Sequence, residues 1–163
     1  MIGKIETNQR LYLSNVLSFR GRCSRKELQE ITGKIESILL ENNAKKNGST
    51  VSVTHNILME NGVEVMDFEI MIPLNKEVSV PSGFRFFSKF ILDNALKIQI
   101  TGNPSQAQDA VKAFGDYIKQ NNIQSTTPIY VVAVKEAKTV SDIDNMITEL
   151  YTGVEAIVSI GLI

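Results

Sequence analysis

The sequence predicts an α+β protein with two pseudo-symmetric β-α-β-β modules that share an antiparallel sheet and carry their helices on one face. Two observations predict this class. Strand-like segments with alternating polarity occur beside two segments with apolar residues at helical spacing. The order strand, helix, strand, strand also occurs twice. We therefore expect one domain, 1–163, with a first module at about 9–74, a connector at 75–83 and a second module at about 84–163.

The composition indicates a hydrophobic core and a balanced surface charge. Of 163 residues, 43% are hydrophobic, and 17 Lys and Arg stand against 18 Asp and Glu. Because nucleic acids attract clustered positive charge, this balance argues against a nucleic-acid partner. No apolar run approaches the roughly 20 residues of a membrane helix, and the N-terminus lacks the apolar segment of a secretion signal. We expect no membrane association and a cytoplasmic location, which a single cysteine, Cys23, also fits.

The first module begins with a predicted strand at 10–19 and a predicted helix at 24–43. Ser24 followed by Glu27 is a capping-box signature. A buried stripe is predicted by the apolar residues that recur at helical spacing, which are Leu28, Ile31, Ile35, Ile38 and Leu39.

Two strands of the first module, at 49–58 and 63–72, are predicted to form a hairpin. Asn61-Gly62 lies between them and favours a type I′ turn. A two-residue turn pairs Asn56 with Asp67 and Thr54 with Glu69, on a polar face that the helices leave open. His55, with Val51 and Val53, is then expected on the apolar face, where it would be a buried neutral histidine.

The second module repeats this order in the predicted elements. They are strands at 84–92 and 95–101 with a turn at Asp93-Asn94, a helix at 103–122 capped by Asn103, a strand at 129–136, a helix at 141–153 ending at Gly153, and a strand at 155–163. The helix-closing pairs Asn42-Asn43 and Asn121-Asn122 support an internal duplication.

These patterns resemble a known family. The paired β-α-β-β order, "DFEIMIPL" and "AFGDYIKQNNI…TPIYVV" are similar to the GyrI-like domains, the effector-binding domains of some AraC- and MerR-type bacterial regulators. The resemblance covers roughly residues 10–163. It implies two helices on one antiparallel sheet, a ligand cleft between the modules, and small, often apolar or cationic, ligands. No helix-turn-helix segment is evident, so we expect a stand-alone effector-binding-like protein.

The resemblance also implies a ligand-facing position. Many GyrI-like members carry a glutamate two residues after a proline in the strand after the second helix, and here Tyr130 follows Pro128 at that position. The missing carboxylate weakens the expectation of a cationic ligand and of hydrolase activity. Tyr130 could still wall a pocket with its ring and hydroxyl. Matching the two modules aligns Tyr130 with Val51 on the helix side, in conflict with Glu69 on the open face, and we favour Tyr130.

The open carboxylates, Asp67 and Glu69, have two interpretations. They are solvated residues of a wet sheet face, which is the commoner case, or they line a ligand site together with Thr54 and Asn56. On the corresponding face of the second module we expect Glu155 beside the apolar positions of the 129–136 strand, which are Ile129, Val131 and Ala133.

Few residues suggest other chemistry. Cys23 precedes a helix and is either a thiol with a lowered pKa or an apolar contact for the first turn. The aromatic run "GFRFFSKF" resembles RNA-binding sheets only in part, because Arg85 occupies a small-residue position. We predict no catalytic residue, no metal ligand and no cofactor.

The sequence thus predicts a protein that binds a small, largely apolar molecule in a cleft between its modules, with Tyr130, Glu69, Thr54, Asp67 and Asn56 as ligand-binding residues. The alternative is a non-enzymatic accessory protein with a protein partner and a vestigial cleft. A faint similarity to proteins encoded near type VII secretion genes favours that alternative. An enzyme is the least expected class.

Overall fold

The structure is a computed structural model that describes residues 1–156. Its elements are β1 (Glu6–Cys23), α1 (Arg25–Glu41), β2 (Thr50–Glu60), β3 (Val63–Pro73), β4 (Phe84–Thr101), α2 (Ala107–Gln120), β5 (Ile123–Ser125), β6 (Tyr130–Lys135) and β7 (Ile147–Ala156). Short 3-10 helices span Pro104–Gln106 and Val140–Asn145. The predicted α+β class is confirmed. Within residues 1–156, every helix is too short or too polar to cross a membrane.

The chain forms two compact units. The first unit is Tyr12–Ile91, and the second combines Met1–Leu11 with the chain from Leu92 onward. Strands β1 and β4 each contribute residues to both units. The single-domain organisation and the cleft that the sequence predicts stay predictions.

In the first unit, β3 pairs antiparallel with β1 on one side and β2 on the other. Helix α1 begins as predicted, since the Ser24 hydroxyl accepts from the Glu27 amide at 3.3 Å and the Glu27 carboxylate accepts from the Ser24 amide at 3.2 Å. The core of the unit unites the apolar faces of α1, β1 and β3, and its buried members include Leu17, Ile31, Ile35, Ile38, Ile72 and Leu74. The apolar stripe predicted for the helix is therefore the face that α1 buries.

The β2–β3 hairpin has the predicted turn. Asn61 and Gly62 have φ angles of 51° and 78°, and positive values at both central residues are the mark of a type I′ turn. Near the turn the register is also the predicted one, with Glu60 opposite Val63 and Asn56 opposite Asp67.

A β-bulge at His55 makes the predicted register wrong beyond that point. Thr54 pairs with Phe68, and Val53 pairs with Glu69, so His55 is the extra residue. Because one extra residue moves every following side chain to the other face, Val51 and Val53 lie on the face of Glu69, opposite the helix-bearing core. The Asn61-Gly62 turn determines the register only of the residues next to it, so it could not predict the bulge.

In the second unit, β7 pairs antiparallel with β4 on one side and with β5 and β6 on the other. Asn103 caps the 3-10 turn before α2, since its side chain accepts from the Ser105 amide at 3.0 Å. Helix α2 packs Ala110 and Phe114 onto the core of this unit. The other fully buried members of that core are Leu96, Ile98 and Ile100 of β4 and Leu150 of β7.

The helix predicted at 141–153 is wrong. Residues 147–153 belong to strand β7, preceded by the 3-10 helix. The spacing of Ile143, Met146, Ile147 and Leu150 imitates a helix, but pairing on both edges of β7 satisfies its backbone in the extended form. Gly153, expected as a helix stop, lies inside the strand and accepts a close approach of the 126–127 loop. The strand predicted at 155–163 falls mostly outside the described residues.

The turn predicted at Asp93-Asn94 is also wrong, because β4 runs unbroken through both residues. Asn94 keeps a turn-like φ of 50° inside the strand, and its side-chain amide donates to the Val154 carbonyl at 2.7 Å. Asparagine tolerates the left-handed region, so the local signal marked a distortion in a strand rather than its end.

Both units follow the same plan, in which one strand, β3 in the first unit and β7 in the second, pairs with neighbours on both sides. Asn15 and Asn94 share a positive φ and stand 79 positions apart (94 − 15). The same interval separates corresponding residues at the helix starts, the helix ends and the bulges, namely Ser24 and Asn103, Asn42 and Asn121, Asn43 and Asn122, and His55 and Val134. An internal duplication is the simplest source of this regularity, and it stays a prediction.

Candidate functional site

A pocket of about 530 Å³ lies within the first unit. Its lining combines charged, hydroxyl and aromatic side chains from β1, β3 and the start of β4, which are Ser18, Arg20, Glu69, Gly83, Phe84, Arg85 and Phe87. Glu69 is one of the ligand-binding residues that the sequence predicts. This volume falls within the usual range of small-molecule sites.

The alternation of β1 and β3 brings the polar side chains to one face. Leu17 and Phe19 contact the helix-bearing core, so Ser18 and Arg20 of the same strand point to the other face. Arg20 stands opposite Glu69 in the register. The orientation predicted for the carboxylates is therefore the observed one in this unit.

Asp67 holds Arg20 rather than lining the pocket. The Arg20 guanidinium donates to Asp67 from Nε to Oδ1 at 3.4 Å and from Nη2 to Oδ2 at 3.2 Å. This hydrogen bond is the main reason that the pKa of Asp67 is lowered, with the positive charges of Arg20 and Arg22 adding to the effect. Asp67 thus fixes one of the two arginines of the pocket wall.

Glu69 has a histidine partner that the predicted register hides. His55 Nε2 lies 2.9 Å from Glu69 Oε1, and the two side chains are 19% and 21% exposed. The bulge creates this contact, because it turns His55 to the face of Glu69. The expectation that His55 lies in the apolar core is therefore wrong.

Two predicted ligand residues lie elsewhere. Thr54 is exposed and pairs with Phe68, so it shares the helix-bearing face rather than the face of Glu69. Asn56 does pair with Asp67, but it is exposed and its side-chain oxygen accepts from the Ile57 amide at 2.9 Å. Neither Thr54 nor Asn56 lines the pocket.

The start of β4 supplies the aromatic wall. Phe84 and Phe86 pack on the core of the first unit, and the ring of Phe84 lies 5.5 Å from that of Phe19. Alternation then places Arg85 and Phe87 on the opposite side of the strand. The alternation of the sequence "GFRFF" is the signal that could have predicted this arrangement.

Tyr130, the other favoured residue, lies in the second unit and not at this pocket. It stands opposite Tyr151 on β7. Ile129 and Val131 pack against the α2-bearing core, so the face predicted for these two residues is wrong and Tyr130 lies on the face away from α2.

Beside Tyr130 the same face carries a charged network. Lys97 Nζ lies 2.7 Å from Glu149 Oε2 and 3.6 Å from Glu6 Oε2. The Tyr151 hydroxyl donates to Glu149 Oε1 at 3.1 Å. Burial, together with the negative charge of Glu149, raises the pKa of Tyr151 to about 12. The hydrogen bond to Glu149 is the main cause that raises the pKa of Lys97.

Glu149 in the second unit corresponds to Glu69 in the first. Each pairs with the residue two positions before the bulge of the neighbouring strand, Glu69 with Val53 and Glu149 with Val132. The two differ in partner: Glu69 meets a histidine and Glu149 a lysine. The sequence did not predict a role for Glu149 and Tyr151, because their strand was predicted as a helix. It did not predict one for Lys97, because nothing in the predicted strand at 95–101 indicates which residues it meets.

Cys23 is a core residue. It is 1% exposed, and burial, with smaller effects of Glu27 and Asp67, raises the pKa of its thiol. This is the apolar interpretation rather than that of an activated thiol. Among residues 1–156, no three His, Cys, Asp or Glu side chains form a group that could hold a metal ion.

Comparison with known proteins identifies the fold. No protein-family model matches the sequence, and no curated protein matches it at a significant level. Among solved structures, the EcmrR C-terminal domain is similar with a TM-score of 0.68 and 13% identity, covering 96% of this chain and 98% of that domain. The chain therefore has the fold of the EcmrR C-terminal domain, and the predicted GyrI-like fold is confirmed.

Two further solved structures are also similar in fold. EcmrR in its DNA complex with RPo matches with a TM-score of 0.70 and 13% identity over 96% of this chain, which spans 58% of the EcmrR chain. A hydrolase from Listeria innocua matches with a TM-score of 0.56 and 10% identity, covering 90% of this chain and 91% of that one. At these identities the likeness concerns the fold alone.

Proposed function

We propose that this protein binds a small organic molecule in the pocket of the first unit. The observation that carries the proposal is the lining itself: aromatic rings, two arginines, a glutamate and a hydroxyl converge on about 530 Å³. Sites for small molecules combine apolar walls with a few placed polar groups. The fold of the EcmrR C-terminal domain and the resemblance to effector-binding domains support the same function.

A thermal-shift panel of apolar, anionic and cationic compounds tests this proposal. A compound present at a hundred times its Kd should add roughly 2.7 kcal/mol to the free energy of unfolding. The shift should disappear in Phe87→Ala, which removes an aromatic wall, and should persist in Tyr130→Ala. Glu36→Gln, at an exposed position of α1, is the control for a surface change.

The outcomes separate the predicted sites. A shift lost in Tyr130→Ala and kept in Phe87→Ala would move the ligand to the second unit, as the sequence favoured. No shift with any compound would overturn the proposal and leave the accessory-protein alternative, which predicts no ligand.

A further inference from the structure

We infer that the pocket of the first unit selects organic anions, namely aromatic or apolar molecules that carry a carboxylate, sulfonate or phosphate. The inference rests on the proposed function and gives it a ligand class. It differs from the cationic ligands that the family resemblance implies, and it comes from the charges and hydroxyl at the pocket wall.

Arg85 is the first observation. It is exposed at the pocket, and no carboxylate among the described residues pairs with it. Arg20 stands on the same wall, with its guanidinium plane fixed by Asp67 through two contacts. A guanidinium fork matches carboxylate and phosphate geometry. Because Asp67 already occupies the fork of Arg20, Arg85 is the arginine of the pocket that favours an anionic group.

Ser18 is the second observation, independent of the arginines. It is only 4% exposed as a residue and lines the pocket. Every fully buried side-chain oxygen of residues 1–156 has a hydrogen-bond partner, so the Ser18 hydroxyl, which has none in this part of the chain, opens to the pocket and can donate to a ligand there. An anionic oxygen is the strongest acceptor for such a donor.

The negative charge of Glu69 would repel an anionic ligand, and this repulsion provides a test of the inference. Its carboxylate is engaged by His55 at 2.9 Å, while Arg20 lies directly opposite in the strand register. At the pocket Arg20 is therefore paired with Asp67 and Glu69 with His55, and Arg85 is left as the charge without a carboxylate partner among residues 1–156. Removing the charge of Glu69 should strengthen the binding of an anion and weaken the binding of a cation.

Phe84 and Phe87 determine the rest of the ligand. Phe84 is anchored to Phe19 in the core, and both phenylalanines border the space that the arginines face. A flat apolar or aromatic body attached to the anionic group would cover these rings.

Three probes with one ring system and different charge test the selection, with binding measured by calorimetry at constant ionic strength. They are naphthoate, naphthylmethanol and naphthylmethylammonium, and naphthalene sulfonate and naphthyl phosphate extend the anion set. We expect at least one anion to bind about tenfold or more tightly than the alcohol and the ammonium. Arg85→Gln and Ser18→Ala should reduce this preference severalfold, Glu69→Gln should increase it, and Lys112→Gln, an exposed α2 residue, should leave it unchanged.

The inference and the proposed function fail differently. Equal binding of all three probes, lost in Phe87→Ala, would overturn the anion inference and keep the pocket. Tighter binding of the ammonium, or weaker anion binding in Glu69→Gln, would also overturn the inference. If none of the anions binds, the inference is overturned whether or not the broad thermal-shift panel finds another ligand. Unfolding curves of each variant exclude loss of the fold as a cause.

Discussion

At the scale of single residues, the charges of this protein are arranged in local partnerships rather than in one large field. Arg20 with Asp67 and His55 with Glu69 lie in the first unit, and Lys97 with Glu149 lies in the second. The partnerships differ in exposure, so they should differ in their energetic weight.

The Lys97–Glu149 pair should contribute measurably to stability. The side chains are 18% and 16% exposed, and removing one partner leaves the other charge without compensation in a mostly buried place. We expect Lys97→Met to lower the free energy of unfolding by roughly 1–3 kcal/mol, measured by urea denaturation. The double variant Lys97→Met/Glu149→Met should recover much of this loss.

An exposed pair provides the comparison. Arg10 and Asp93 are 58% and 72% exposed in their ion pair, so Asp93→Asn should change the free energy of unfolding by less than about 1 kcal/mol. A loss in Asp93→Asn as large as that in Lys97→Met would contradict the weight given to burial.

Tyr151 predicts a loss of stability at alkaline pH. Its pKa is about 12 in the folded protein and about 10 when unfolded. The unfolded chain therefore releases this proton first, and the free energy of unfolding should fall as pH rises from about 10 to about 12. Lys97, whose pKa is also raised, acts in the same direction.

Ultraviolet titration of tyrosinate and denaturation at several pH values measure this effect. One of the four tyrosines should ionise late, and Tyr151→Phe should remove both the late titration and part of the alkaline loss. Tyr12→Phe, at an exposed tyrosine, should leave both in place. Late ionisation that persists in Tyr151→Phe would show that another tyrosine is responsible.

At the scale of elements, strands β2 and β6 both depart from a regular ladder by one residue. The extra residues are His55 and Val134. In β2 the bulge joins a stretch whose register the turn determines to a stretch whose register the buried Val51 and Val53 determine. The two registers differ by one residue, so β2 can satisfy both only with a bulge.

Deleting His55 should leave the fold intact. Thr54 already pairs with Phe68 and Asn56 with Asp67, so removal of the extra residue closes the ladder without moving any other pair. Deleting Ser52 should be far more damaging, because it moves the fully buried Val51 to the opposite face. Amide hydrogen exchange along β2 and β3 distinguishes the two, and equal protection in both deletions would refute this account.

At the scale of the whole molecule, the 79-residue interval predicts equivalent behaviour at equivalent positions. Asn43 and Asn122 follow the two helices with φ angles of 50° and 52°. At each, replacement by alanine should cost about 1 kcal/mol of stability, whereas glycine should be nearly neutral, because only glycine and asparagine adopt this conformation readily.

Urea denaturation of the four variants tests the equivalence. Asn47→Ala, at an exposed asparagine outside the positive-φ set, should have little effect. A cost at only one of Asn43 and Asn122 would argue that the two helix ends are not energetically equivalent, and would weaken the duplication hypothesis.

The sequence by itself determined the features that depend on neighbours a few residues away. The capping box at Ser24, the type I′ turn at Asn61-Gly62 and the apolar stripe of α1 all have local causes, and each was predicted. Glu69 was predicted on the open face of the sheet from the same turn, because the turn sets which face of β3 carries it.

Only the tertiary structure decided the rest, because distant partners supply the deciding interactions. Residues 147–153 are a strand because β4 and β6 hydrogen-bond to both edges, which overrides their helical spacing. His55 faces Glu69 because buried valines fix the far end of β2. The pocket joins Ser18, Glu69 and Arg85 across three strands, and side chains so far apart in sequence leave no local pattern that could predict their meeting.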